Sequence, residues 1–262
     1  MENLNDFCKC IRKDIVFQIG NFGVGHLGGS LSITELLVVL YKNYIRFDVK
    51  NPKKPDRDRL IVSKGHSGPA IYAILCNLGF FGREWLKTLN KPGTNLPSHC
   101  DMNKTPGIDM TTGSLGQGLS CAVGIAIAAK LCKYDSKIYA IVGDGELQEG
   151  QIWEAAMFAA HQKLDNLILF IDYNKMQIDG MVSEICNIEP LAKKWLAFGW
   201  ETIEVTNGNS CSEINDAIKK ANEKTSPCAV ILNTIKGFGV SFARDLGIDN
   251  HSMSVSREQY EN

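Results

Sequence analysis

The chain is predicted to be an α/β protein in which a parallel sheet carries helices on both faces, and three observations predict it. From Gly116 onward, segments with helical apolar spacing alternate with short apolar runs: GQGLSCAVGIAIAAKL, KIYAIV, EGQIWEAAMFAAHQKL, NLILFID, LAKKWLAF, WETIEV, SEINDAIKKANEK and CAVILNTI. The core runs, such as NLILFID, are continuously apolar rather than alternating, as expected of strands buried on both faces and joined by right-handed helical crossovers. The composition, 262 residues of which 44% are hydrophobic, supports one large core without disulfide or metal staples. With no internal repeat or shift in composition, residues 1–262 are expected to form a single domain.

The elements before Gly116 follow in order. Leu4, Phe7, Ile11 and Ile15 fall at helical spacing and predict a helix from Leu4 to Phe22. A Gly-rich loop, GVGHLGGS, follows. Ser32 and Glu35 match the S-x-x-E capping box and predict the start of an apolar helix through ITELLVVLYKNYI. The charged connection NPKKPDRDR leads to a strand, LIVS, then to the loop KGHSG and a helix through AIYAILCNLG. From Lys91 to Gly113, three of the eight prolines and three of the 24 glycines break any periodicity, which predicts a long ordered loop.

Charge and cysteine content narrow the function classes. Twenty-eight Lys and Arg against 29 Asp and Glu, for a net charge of −1, argue against a nucleic acid or an anionic membrane as partner. The longest apolar stretch, CAVGIAIAA, is well short of the ~20 residues of a membrane span. The start, MENLND, has no signal-peptide character. Nine scattered cysteines with no CxxC pair are expected to be reduced core fillers, in agreement with a cytoplasmic location. Cys100, beside His99, has no assigned base or oxyanion hole and reads as a core or loop cysteine. GVGHLG has the form G-x-G-x-x-G but follows a helix rather than a strand, so a dinucleotide fingerprint is rejected. With no Gly-Lys pair in the chain, a phosphate-binding loop of the G-x-x-x-x-G-K-[ST] type is excluded too.

The chemistry concentrates in KIYAIVGDGELQEGQIWEAAMFAAHQKLDNLILFIDYNKMQIDG. An Asp-Gly pair usually marks a hairpin, but the segment after Asp144 has helical spacing. Asp144 therefore sits where one strand ends, and Asn174, 30 residues on, sits at the end of the next. Ligands of open parallel sheets bind at this carboxyl edge. A carboxylate and an amide oxygen are hard donors that suit Mg²⁺ or Ca²⁺, with further oxygens expected from a main-chain carbonyl near Met176, a water and a diphosphate. Gly143 and Gly145 leave the backbone free to approach that diphosphate.

These residues resemble the transketolase family: GHLGGSLS, SKGH, TPGIDMTTGSLGQG, GDGELQEGQIWEAA, DYNKMQIDG and KGFGVSF stand in the family's order and spacing over nearly the whole chain. The resemblance implies the thiamine diphosphate-binding fold of the pyrophosphate type. It also implies thiamine diphosphate and a divalent metal as cofactors, with Asp144, Asn174 and the Met176 carbonyl on the metal and Gly145 and His66 near the diphosphate. Gly113 and Leu115 would line the thiazolium and aminopyrimidine region. His26, His99 and His251 would face the substrate, where neutral-pH proton transfer to sugar hydroxyls suits imidazole. Glu149 and Glu154 match acidic residues at the family's subunit interface, although favourable charge at a helix start explains them equally well. His161, at a helix end, is assigned no role.

The chain departs from the family at Val24, at Cys100 and at Asn250-His251-Ser252, where Trp-His-Gly or a similar triplet is usual. The resemblance implies the N-terminal half of a transketolase. The glutamate that activates the aminopyrimidine and the aromatic residues that stack on it are expected on a separate C-terminal subunit, in an α2β2 assembly that transfers a two-carbon ketol unit from a ketose to an aldose or their phosphates. The alternatives are the α-subunit of a 2-oxoacid dehydrogenase-like enzyme, which shares the GDG and Asn signature, and a non-catalytic homologue.

Overall fold

The computed structural model describes residues 3–261. Helix α1 (Leu4–Phe22) is capped by Asn3, whose side chain accepts the Asn5 N–H at 3.1 Å, and buries Phe7, Ile11, Ile15 and Ile19. A two-residue strand β1 (Val24–Gly25), a one-turn helix α2 (Gly28–Leu31) and helix α3 (Thr34–Val39) follow, and α3 continues into a wider turn over Leu40–Tyr44. Then come β2 (Arg59–Val62), α4 (Gly68–Asn77), α5 (Gln117–Leu131), β3 (Ile138–Gly143), α6 (Gly150–His161), β4 (Leu167–Tyr173), α7 (Val182–Ile185) and α8 (Leu191–Ala197). The chain ends through β5 (Glu201–Val205), α9 (Cys211–Asn222), β6 (Cys228–Asn233), α10 (Ser241–Arg244), β7 (Met253–Ser254) and α11 (Arg257–Glu261).

Five strands form one parallel sheet in the order β2-β3-β4-β6-β5. Successive apolar residues of β2, β3, β4 and β6 enter different cores. Tyr139, Ile141, Ile168, Phe170, Val230 and Leu232 pack with α1, α3, α4 and α9, whereas Ile138, Ala140, Val142, Leu167, Leu169 and Ile171 pack with α5, α6 and α8. Helices thus cover both faces, as the apolar runs predict. The register sets Gly143 opposite Asp172 and Asp172 opposite Leu232, so β3, β4 and β6 end at one level. That shared edge is the platform for the site.

Three expectations are corrected. Ser32 and Glu35 do not form a capping box: α3 begins after Ile33 with no side-chain cap. Ser32 instead donates its hydroxyl to the Gly29 carbonyl and to Asp172, and Glu35 pairs with Arg12, so tertiary partners outcompete the local ones. The Gly-rich loop holds the helix α2 and one strand of an antiparallel pair, Val24 opposite Ser254, which returns the C-terminal segment to the neighbourhood of His26. The cysteines are all free, but they are not all core fillers, since Cys132 and Cys186 are exposed.

Other expectations hold. The segment 91–113 has neither helix nor strand, and is pinned by buried Leu96, Cys100 and Thr105 and by the Tyr72 hydroxyl, which donates to the Pro97 carbonyl at 2.8 Å. Burial pushes the Cys100 thiol up to about 12, the opposite of an activated nucleophile. GVGHLG follows α1, and Asp144 leads through a short turn, Gly145–Gln148, into α6 rather than into a hairpin. Among the described residues no helix is long and apolar enough to cross a membrane.

Candidate active site

At the carboxyl edge of β3, β4 and β6 lies a cavity of about 330 Å³. It is lined by His26, His66, His99, His251, Gly113, Leu115, Gly143, Asp144, Gly145, Glu149, Asn174 and Met176, twelve of the thirteen residues singled out from the sequence. Glu154 is the exception: it stands exposed on α6, outside the cavity. A larger hollow of about 570 Å³ beside α1 also collects cations. There Lys9, Arg12 and Arg83 are already held by Asp6, Glu35 and Asp14. Groups without such partners converge in the smaller cavity.

Asp144 is 2% exposed and caps the turn after β3, accepting the Gly145 N–H at 2.8 Å and the Lys175 N–H on its other oxygen. Burial, followed by the charge of Asp172, pushes its carboxyl up to about 7 despite those two donors. Asn174 directly follows β4; its Oδ1 accepts the Met176 N–H at 3.1 Å while its Nδ2 donates to Asp172 at 3.1 Å, which fixes the orientation of the amide. Gly143, the last residue of β3, directly precedes Asp144, and a Cβ there would meet nothing within 4 Å. Its backbone is therefore bare toward the cavity. Gly113 has φ +151° and would bring a Cβ to 3.1 Å from the His99 ring, so the absence of a side chain lets that ring sit against the loop.

Beneath the cavity, Asp172 is fully buried and accepts hydrogen bonds from Ser32 at 2.6 Å, Asn174 at 3.1 Å, Thr234 and Lys64. Burial alone would raise its carboxyl, but the Lys64 ammonium and the hydroxyl donors hold it below the usual range. Lys64 also donates to the Gly29 carbonyl at 3.0 Å. Glu146, equally buried, accepts the Gly116 N–H at 2.8 Å, the Gly143 N–H at 3.1 Å and the Ser63 hydroxyl, so it ties three loops together.

The four cavity histidines form one cluster, with ring centroids 5.1–5.5 Å apart in the four contacting pairs: His26 with His66, His99 and His251, and His66 with His251. Burial depresses all four, with Lys236 adding most to the effect at His251, which falls to about 3, and Lys64 adding most at His66. They are neutral imidazoles at pH 7, each able to accept a proton and to donate one.

Lys236 completes the cavity. It is 4% exposed, its Nζ has no hydrogen-bond partner among the described residues, and burial together with Lys64 lowers it to about 8. A buried ammonium without a partner and a buried carboxylate displaced upward mark a site shaped for an anion and a cation that bind together. Sequence reasoning missed Lys64, Glu146, Asp172 and Lys236. All four lie inside quoted motifs, SKGH, GDGELQEGQIWEAA, DYNKMQIDG and KGFGVSF, and that placement was the available signal.

The comparisons with known proteins agree with this geometry. Residues 4–259 match the family model described as transketolase, thiamine diphosphate binding domain. The chain is 53% identical over 259 residues to the 6-deoxy-6-sulfo-D-fructose transketolase subunit SqwG of Clostridium sp. (strain MSTE9), covering 98% of this chain and 94% of that one. It is 43% identical over 242 residues to one of the subunits of the apulose-4-phosphate transketolase of Actinobacillus succinogenes, covering 92% and 87%. Among solved structures, transketolase from Leishmania mexicana superposes with a TM-score of 0.95 at 31% identity, over 100% of this chain but 41% of that one. The 2-oxoacid dehydrogenase alternative is not favoured. The chain belongs to the transketolase family and corresponds to its thiamine diphosphate-binding domain.

Proposed function

We propose that this chain is the N-terminal subunit of a split transketolase, a cytoplasmic enzyme that transfers a two-carbon ketol unit from a ketose to an aldose together with a C-terminal partner subunit. The observation that carries the reading is the convergence of Asp144, Asn174, Lys236 and four neutral histidines in one cavity at the carboxyl edge of the sheet. When bound, thiamine diphosphate supplies the carbon nucleophile and the electron sink of ketol transfer. Asp144, the Asn174 amide oxygen and the Met176 carbonyl would hold Mg²⁺ or Ca²⁺. Among the described residues no group of three His, Cys, Asp or Glu could hold an ion by itself, so diphosphate oxygens are the natural completion of this donor set. Lys236 would balance the charge of the diphosphate, His66 would stand near it as a neutral hydrogen-bonding partner, and Gly143 and Gly145 would let it approach the main chain. Gly113 and Leu115 would line the space beside the heterocycle. His26, His99 and His251 would accept and return protons at sugar hydroxyl and carbonyl oxygens.

The surface supports a partner. Helix α5 is apolar over most of its circumference, Gln117, Ser120 and Lys130 apart, and leaves Leu131 78% exposed, and on the neighbouring α6 Met157 and Phe158 are 61% and 48% exposed close to Glu154. A helix this apolar is normally buried. We assign this face, with Glu149 and Glu154 at its edge, to the partner subunit, consistent with an α2β2 assembly in which residues 1–262 act as one domain. The two subunit relatives are named for a sulfonated and a phosphorylated sugar. The substrate proposed here is accordingly a ketose with an anionic terminus.

The test is ketol transfer from sulfonated, phosphorylated and neutral ketoses, by the chain alone and by the chain reconstituted with its partner. Activity on an anionic ketose only after reconstitution is expected. Normal turnover by the single chain would contradict the split enzyme.

A further inference from the structure

We propose that Asn250 is a positioning residue that clamps the loop carrying Lys236 and the turn carrying His251 against the loop carrying His26. Asn250 stands where the family usually has a different residue before the histidine. It is 0% exposed, and its Nδ2 donates to the Ala243 carbonyl at 2.9 Å and to the Lys236 carbonyl at 3.3 Å. Across the same node the Gly237 N–H donates to the Gly28 carbonyl at 3.1 Å.

The packing leaves no room for alternatives. A Cβ on Gly28 would fall 1.9 Å from Asn250 Oδ1 and 2.9 Å from its main-chain oxygen. One on Gly237, whose φ is +83°, would fall 2.9 Å from Asn250 Nδ2. Gly28, Gly237 and Asn250 therefore bring three segments into direct contact, and each segment delivers a cavity residue within two positions: His26, Lys236 and His251. The His251 ring lies 5.4 Å from His26 and 5.1 Å from His66, an arrangement that survives only while the node holds. The Ala243 carbonyl keeps the Leu246 N–H at 3.3 Å, but the buried Lys236 carbonyl, deprived of the Asn250 amide, would pull toward water, carrying Lys236 and His251 apart.

The inference rests on the cofactor reading for the meaning of the cavity. Its test needs no cofactor, so the two fail separately. The full chain, labelled with ¹⁵N-histidine, is titrated by NMR. The groups facing His251 are Lys236, Lys64, His26 and His66; burial, then Lys236, His26 and Lys64, hold it at about 3. Asn250→Ala is expected to raise the His251 midpoint by at least about one pH unit toward its ordinary value as the ring and Lys236 separate and rehydrate. Asn250→Ser, with one donor left, is expected to give a smaller rise, and it decides the matter if the alanine variant does not fold. Ile214→Val, a core change under α9, should lower the melting temperature without moving His251. An unchanged His251 midpoint in a folded Asn250 variant, or an equal shift in Ile214→Val, would overturn the proposal.

Discussion

The floor and the mouth of the cavity use the same residue types to opposite ends. In the floor, Lys64 and Asp172 meet as a buried pair whose remaining hydrogen-bonding capacity is filled by Ser32, Thr234, Asn174 and the Gly29 carbonyl. In the mouth, Lys236 and Asp144 are nearly as buried but not paired, and burial displaces each toward its neutral form. The contrast separates stability from function. The charges of the floor are satisfied within the chain, whereas those of the mouth are not.

The largest expected effect breaks the floor. Asp172→Leu leaves the Lys64 ammonium buried without a counter-charge, a change that typically costs about 3–5 kcal/mol. Calorimetry is expected to show a melting temperature lower by ~10 °C or more, and a fall of only a degree or two would mean that the pair contributes little.

Next, Asp144→Ala removes a mouth carboxylate. Titration calorimetry with thiamine diphosphate and Mg²⁺, in the presence of the partner, should show affinity lower by about 100-fold or more, the scale of losing a charged metal ligand. Affinity within a few-fold of wild type would take Asp144 out of the metal site.

Lys236→Met sharpens the comparison because its effects on stability and binding have opposite signs. The native amine, lowered from 10.5 to about 8, binds fewer protons than the unfolded one, so the cost of burying it is present below pH 8 and is gone by 10.5. At pH 7 the variant of the empty chain should gain up to about 3 kcal/mol, an advantage that vanishes by pH 10.5 in thermal melts. Its thiamine diphosphate affinity should fall by about 10-fold or more, and it should lack the weakening expected of the wild type as pH rises through 8 and the amine loses its charge. The smallest effect is expected at His161, exposed in the last turn of α6. His161→Ala should change stability by less than about 0.5 kcal/mol and leave ketol transfer intact, and a large loss of activity would expose a role that the geometry does not assign.

How much of this was legible beforehand follows the same division. The central strands could be read because a strand buried on both faces is apolar at successive positions, as in Leu167–Ile171, whereas the edge strand β5 mixes Glu201, Thr202 and Glu204 with Ile203 and Val205. The mouth could be read because GDG, the later Asn and the loop histidines keep their spacing. The floor could not, since a single Lys in SKGH or Asp in FIDYN has no sign of burial until the fold sets Lys64 beside Asp172. The misread capping box at Ser32 and Glu35 has the same cause: Asp172 and Arg12 come from elements distant in sequence. The pairing of Val24–Gly25 with Met253–Ser254 is likewise too short and too distant to predict, yet it returns the C-terminal segment that carries His251.

The central claim is that Asp144 belongs to the site that takes up thiamine diphosphate together with a divalent metal. Thermal melts of wild type and Asp144→Ala at pH 7.5, assembled with the partner, with and without thiamine diphosphate and Mg²⁺, test it most directly. The account predicts that the empty variant melts no lower than the empty wild type, because an unfavourably buried carboxylate has gone, and that only the wild type rises by several degrees when both ligands are added. A variant less stable when empty, or one that responds to the ligands as the wild type does, would contradict it.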